Sequence, residues 1–224
     1  MTLFVQSIHS VLLAELFLAI ISSGFFFFEL KTLNVNLQNK STVELIGFLL
    51  SLNLTYFMRV IGILSDSIVI RTYLTGVIAL IGGMLFIIWG VTLSESKRWK
   101  VNLSYTCLIL GMILFLDGRY NNRMLFSRLG LIIMILGPLI IMTMIFRYVF
   151  SSSPYVRARH RLFVLTLSFL FYAIFEGFAV ANLGSKNYLM AALFFILVLP
   201  WRFGMTLSIM LPPNLTNFLF KFIH

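Results

Sequence analysis

The sequence predicts an all-α, polytopic membrane protein of seven transmembrane helices, with the N-terminus outside and the C-terminus inside. Three observations carry that prediction. Mean hydropathy is +1.02, and 60% of the 224 residues are apolar, set against 17 Lys+Arg and 7 Asp+Glu. A soluble domain cannot hide so many apolar residues behind so little polar surface. The apolar residues also fall in blocks, mostly of the roughly 20 residues that a ~30 Å hydrocarbon core requires. Finally, the blocks are continuously apolar and do not alternate at period two, so they read as helices and not as barrel strands.

The first span, 8–28, follows a stretch without positive charge, and no small-residue cleavage site comes after Leu13. It therefore reads as a retained helix and not as a removed signal peptide. The second and third spans are 43–64 and 67–93, with Asn53 and Arg59 in the second and the close-packing pair Gly82-Gly83 in the third. The fourth, 101–116, is the shortest and holds Cys107, the single cysteine, which has no partner for an intramolecular disulfide. The fifth, 129–150, carries a kink signal at Gly137-Pro138. The sixth, 162–183, carries Glu176 beside a small-residue surface at Gly177 and Ala181, and the seventh, 187–211, carries Pro200-Trp201-Arg202. Connections reach at most about fourteen residues, so residues 1–224 read as one transmembrane domain.

Net charge is +10. In a soluble protein that would suggest nucleic acid, but no basic surface of useful size lies outside these spans, so no nucleic-acid partner is expected. The positive charge sits in loops, where it sets orientation and meets anionic lipid head groups. One side of the membrane holds Arg59, Arg71, Arg119, Arg123, Arg128 and Lys186. The other holds Lys31, Lys40, Lys97, Arg98, Lys100, Arg147, Arg157, Arg159, Arg161, Arg202 and Lys221. The second, richer side is cytoplasmic by the positive-inside rule. Its two densest blocks, Lys97-Arg98-Trp99-Lys100 and Arg157-Ala158-Arg159-His160-Arg161, have Trp99 and Tyr155 beside them as interfacial anchors.

An ungapped shift of 115 residues lays span two on span six and span three on span seven. Tyr56-Phe57 then meets Phe171-Tyr172, Gly62 meets Gly177, and Arg71-Thr72-Tyr73-Leu74 meets Lys186-Asn187-Tyr188-Leu189. The pattern is a parallel three-plus-one-plus-three repeat, 8–93 and 129–211, with 101–116 as the linker helix.

Charges inside a bilayer are costly, so each intramembrane ionisable group is a functional candidate. Glu15, Arg59 and Glu176 all fall about 8–10 Å beneath the outer surface at ~1.5 Å per residue. They form a candidate ligand pocket or, alternatively, a structural ion pair. Asn53, Pro200 and Arg202 form a candidate inner cavity or hinge: proline frees helix carbonyls, and Arg202 is too deep for easy snorkelling. An inward contact between Arg202 and Asn53 is one expectation. Lys97, Arg98, Lys100, Arg157, Arg159 and Arg161 form a basic cytoplasmic docking face.

No enzyme is expected. His9, His160 and His224 are scattered, so neither a haem pair nor a zinc triad can form, and no cofactor or metal is expected. Asp117-Gly118 lacks the further aspartates of CDP-alcohol phosphotransferases, and no GxSxG, HExxH or Walker sequence occurs. The Asn-X-Ser/Thr triplets at Asn39, Asn102 and Asn214 fall on the inner side and that at Asn53 lies within a span, so none is a glycan site.

Seven helices, an outside N-terminus and basic loops after spans three and five resemble the microbial-rhodopsin and prokaryotic seven-helix sensor group. The stretch from Phe146-Arg147-Tyr148 through Ser151-Ser152-Ser153-Pro154 to Arg157-Ala158-Arg159 is similar to the loop between helices five and six of such sensors. No lysine lies in mid-span seven, so retinal is not implied. The repeat resembles that of the sugar-transporting SWEET group, whose hinge prolines are matched here only by Pro138 in span five.

The leading expectation is a receptor- or sensor-like multi-pass protein of the cell membrane, with an outward pocket and a basic inner face. A small-solute transporter on the same repeat is the second expectation. The third is an accessory subunit of a larger complex, with other membrane or cytoplasmic subunits as partners.

Overall fold

The computed structural model describes residues 11–21, 24–25, 28–29, 31, 40–67, 69–93, 98–151, 156–184 and 187–210. All of the regular structure among them is helical. Helix α1 spans Val11–Ile21, and helical backbone recurs at Gly24, Phe25, Phe28, Glu29 and Lys31. Then come α2 (Lys40–Leu64), a π-helical stretch (Val69–Leu74), α3 (Thr75–Leu93), α4 (Arg98–Tyr120), α5 (Met124–Ser151), α6 (Val156–Gly184) and α7 (Tyr188–Met210). The six helices α2 to α7 are long and apolar enough to cross a membrane. The chain is therefore a multi-pass helical membrane protein.

The expected spans differ from these helices at their ends. α4 runs over Arg98–Tyr120 and not over 101–116 alone, and α5 starts at Met124 and not at 129. Charged residues at those ends suggested that the helices had stopped. A helix can instead continue into the head-group region, where long basic side chains reach water.

Consecutive helices pack as antiparallel hairpins, α2 with α3, α4 with α5 and α6 with α7. The first two close with the same cap. After α2, Ser67 N–H donates to the Gly62 carbonyl (2.9 Å) and Asp66 N–H to that of Ile63 (3.2 Å), with Asp66 at φ 48°. After α4, Arg123 N–H donates to the Gly118 carbonyl (2.8 Å), with Asn122 at φ 54°. This is the Schellman pattern with Asp or Asn in the left-handed position usually taken by glycine. The bond from Asn187 N–H to the Asn182 carbonyl (2.9 Å) repeats it after α6. Ser67 and Asn187 are 120 residues apart, so the 115-residue shift does not bring these two turns into register.

The α4–α5 hairpin is held by backbone approach. Ser104, Gly111 and Gly118 recur every seven residues on α4, and Gly130 and Gly137 do so on α5. A Cβ on Gly111 would fall 2.6 Å from Met134 Cα and 2.7 Å from the Gly130 carbonyl oxygen. Ser104 Oγ donates to the Gly137 carbonyl across the same seam. Helices in lipid lack a hydrophobic drive to associate, and small residues let their backbones touch instead. The sequence signal was the heptad spacing, which Gly82-Gly83 and Gly177 overshadowed.

The centre is aromatic. Phe48 of α2, Phe86 of α3 and Phe169 of α6 form a triad with ring centroids 4.2–5.2 Å apart, and Trp89 stands 5.5 Å from Phe86. Leu13, Phe17, Ile109, Ile113, Ile132, Leu193 and Ile196 point outward and are largely exposed, as suits a lipid-facing surface.

Gly111→Ala should lower thermal stability by about 1–3 kcal/mol, the scale of an overpacked contact, because backbone must move to admit the methyl group. Gly177→Ala should cost less, since its Cβ meets only the flexible Ile135 Cδ1, at 3.1 Å. Melting curves of the two variants in one detergent check the order.

Candidate functional site

Helix α2 carries two polar levels six residues apart, Asn53 below and Arg59 above, about 9 Å along its axis. Each level is completed by other helices. At the upper level the Arg59 guanidinium forms an ion pair with Glu176 of α6, and their side chains are 16% and 14% exposed. Tyr56 donates to Glu176 Oε2 at 3.4 Å, and the Tyr56 and Tyr172 hydroxyls lie 3.0 Å apart. Arg59 also lies over the rings of Tyr56 (5.8 Å) and Phe195 (5.7 Å), where the quadrupole holds a cation. Glu15 of α1 is buried and acts electrostatically on Arg59. The residues matched in depth by the sequence are thus brought together here.

The lower level is drier, with Arg202 0% and Glu29 2% exposed at the side chain. Arg202 Nη2 donates to Glu29 Oε1 and to Asn53 Oδ1, both at 2.7 Å, and Nη1 donates to Thr206 Oγ1 at 2.6 Å. Asn53 Nδ2 donates to Glu29 Oε2 (2.8 Å), and Thr206 Oγ1 lies 3.1 Å from Glu29 Oε1. Phe25 lies 5.6 Å beneath the guanidinium. Asn53 and Arg202 therefore meet, and Pro200, one half-turn before Arg202, lies inside the continuous helix α7.

Sequence reasoning missed Glu29. It follows the Phe25–Phe28 run directly and so falls just past the end of the first expected span, 8–28. The signal was Arg202 itself, since a guanidinium that deep needs a carboxylate. Glu44 was missed too; it is buried on α2, with the Thr92 hydroxyl of α3 2.9 Å from its Oε2.

Above the aromatic triad lies a cavity of about 360 Å³. Each wall contributes one helical stripe. α2 supplies Phe48, Leu52, Thr55 and Arg59; α4 supplies Leu108, Met112, Phe115 and Arg119; α6 runs from Phe169 through Tyr172 and Glu176 to Val180. Each stripe advances eleven residues along its helix, so the cavity is a shaft whose lining extends about 16 Å. Thr72, Asn122 and Tyr188 rim its upper end, and Glu15 also faces it. Small residues are among those that line it: Gly76 and Ala79 on α3, Ala173 and Gly177 on α6. Pro138 lines the α5 wall.

Arg98 and Lys100 begin α4, and Arg98 is exposed. Lys97 and the side chains of Arg157, Arg159 and Arg161 lie outside the described residues. Among the described residues no three His, Cys, Asp or Glu side chains converge as a metal site would require. Comparison with protein-family models, with curated proteins and with solved structures returned no match.

Removing one partner of a buried pair leaves the other charge uncompensated, at about 3–5 kcal/mol. Arg202→Met and Glu29→Leu should each destabilise on that scale, and the double variant carrying both should cost less than the sum of the single changes. Arg59→Met should be milder than Arg202→Met, because Glu176 borders an open cavity. Unfolding of the four variants, compared with the parent chain, measures the coupling.

Proposed function

We propose that the chain is a receptor- or sensor-like integral membrane protein that admits a ligand to the shaft from the outer side of the membrane. One observation carries the reading: Glu15, Arg59 and Glu176, from three different helices, border one cavity that an aromatic triad closes from below. Ionisable groups within spans face bundle interiors or water-filled cavities, and binding sites are concave, mostly apolar and furnished with a few convergent polar groups. The volume falls in the usual range for small-molecule sites.

Loop charge supports an outer position for the mouth, with the N-terminus outside and the C-terminus in the cytoplasm. The basic blocks around Arg98 and Arg157 then face inward, towards anionic lipid and a separate cytoplasmic or membrane subunit. The transporter reading has its own support. Arg202, Glu29, Asn53 and Thr206 tie the segment at Glu29 to α2 and α7 at a deeper level, as a closed inner gate beneath an outward-open cavity would.

Purified from its native membrane, the protein should retain a small molecule that mass spectrometry can identify. Glu176→Gln should release it while costing about 2 kcal/mol or less in stability, because water in the shaft can solvate Arg59. Unchanged retention would remove the reading. Orientation is checked separately, in a Cys107→Ser background. A membrane-impermeant maleimide applied outside should label a cysteine at Asn121 and spare one at Arg98.

A further inference from the structure

The two halves of the shaft have opposite chemistry. From that we infer the class of its ligand: a linear amphiphile with an uncharged, hydrogen-bonding head, bound with its tail towards the aromatic floor. The inference rests on the ligand-binding reading above and names what that site takes.

The lower half is lined mainly by Phe48, Leu52, Gly83, Leu108, Met112 and Phe169, which are apolar; Tyr172 stands just above them, its hydroxyl 3.0 Å from that of Tyr56. Its floor is fixed, since Phe169 stacks on Phe86 at 4.2 Å and meets Phe48 edge-on at 5.2 Å. A polar ligand seated there would lose its water and gain no hydrogen bonds in return. An apolar tail loses nothing, and the unbranched Met112 side chain adapts to its shape. The shaft follows the helix axes for about 16 Å, with one stripe per wall. That is the form of an extended chain and not of a disc or a globe.

The upper half is polar, and its charges are mixed. Arg59 and Arg119 stand among its lining residues with Glu15 and Glu176. Arg59 is held by Glu176 and by the rings of Tyr56 and Phe195, and Arg119 lies 5.5 Å over the Phe115 ring. A head group of either sign comes to rest beside a group of its own sign, and such juxtapositions reject a ligand. Hydroxyl or amide groups can donate to the carboxylates and accept from the guanidinium groups without adding charge. Thr72 and Asn122 at the rim extend the same hydrogen bonding.

The test uses the full chain in lipid nanodiscs and tritiated 1-monoacylglycerols from hexanoyl to hexadecanoyl, with binding counted above that of protein-free nanodiscs. Saturable binding is expected, and fatty acids and alkylammonium ions of equal chain length should bind more weakly. Ala79 lines the shaft four residues above Gly83. Ala79→Phe should weaken the longest chains about tenfold, the scale of an overpacked contact, and leave the shortest unchanged. Met112→Trp carries the same expectation from the facing wall, should Ala79→Phe fail to fold. Ile81→Phe, on the half-exposed outer surface of α3, should change nothing. Equal binding of every chain length by the narrowed variants would overturn the inference, and so would a preference for a charged head. If no amphiphile binds but the native membrane yields a water-soluble compound that Glu176→Gln releases, the ligand class falls and the binding site stands. If neither amphiphile nor retained compound is found, both fall.

Discussion

Arg202 is the group around which the lower half of this bundle has to be arranged. A guanidinium within a bilayer-spanning segment, 0% exposed, cannot shed its charge by deprotonation and cannot reach water. It persists only where carboxylate and carbonyl oxygens come to it. Glu29 supplies the charge and Asn53 and Thr206 accept further hydrogen bonds, so three segments distant in sequence are fixed at one depth. Such a pair adds little net stability over a well-packed apolar alternative, yet it penalises every arrangement in which its members part. It therefore selects one register of Glu29 and of α7 against α2.

The same helix carries that constraint outward. Arg59 stands six residues beyond Asn53 on α2, and the Tyr56 hydroxyl between them reaches Glu176 and Tyr172 on α6. The two polar levels therefore share one rigid element. They differ in solvation: the lower is sealed, whereas the upper borders a cavity. Large rings fill the space beside Phe86, while Gly76, Ala79, Ala173 and Gly177 are among the residues that line the cavity above.

Some of this arrangement is legible in the sequence. Long apolar runs dictate the helices because hydrocarbon thickness fixes how many residues a span needs. The meeting of Arg59 with Glu176 follows from depth, since both lie well inside their spans and unlike charges in a bilayer seek each other. Glu29 is not legible by that rule. It stands at the edge of an apolar run, where a charge reads as the end of a span, and only the demand made by Arg202 draws it inward. The ends of α4 escape for the same reason, because Lys100 and Asp117 lie on a helix that continues past them. The cavity has no one-dimensional signal at all. Its lining is drawn from α1 to α7, and which stripes meet around it is set only by how the hairpins assemble.

The walls of the shaft are held by unlike forces, and that bears on how the bundle can respond to an occupant. α4 and α5 touch backbone to backbone along a glycine seam, so separating them forfeits dispersion contacts over the whole length of the pair. α2 faces α6 through long side chains: the Arg59–Glu176 pair, the phenols of Tyr56 and Tyr172, and the rings of Phe48 and Phe169. The polar part of that contact borders the cavity, where a bound head group or water can replace one hydrogen-bond partner with another at little net cost. The contact between α6 and α2 thus rests in part on polar partners that can be exchanged, whereas that between α4 and α5 rests on close packing. Below it, the sealed cluster around Arg202 has no water to take the place of its partners.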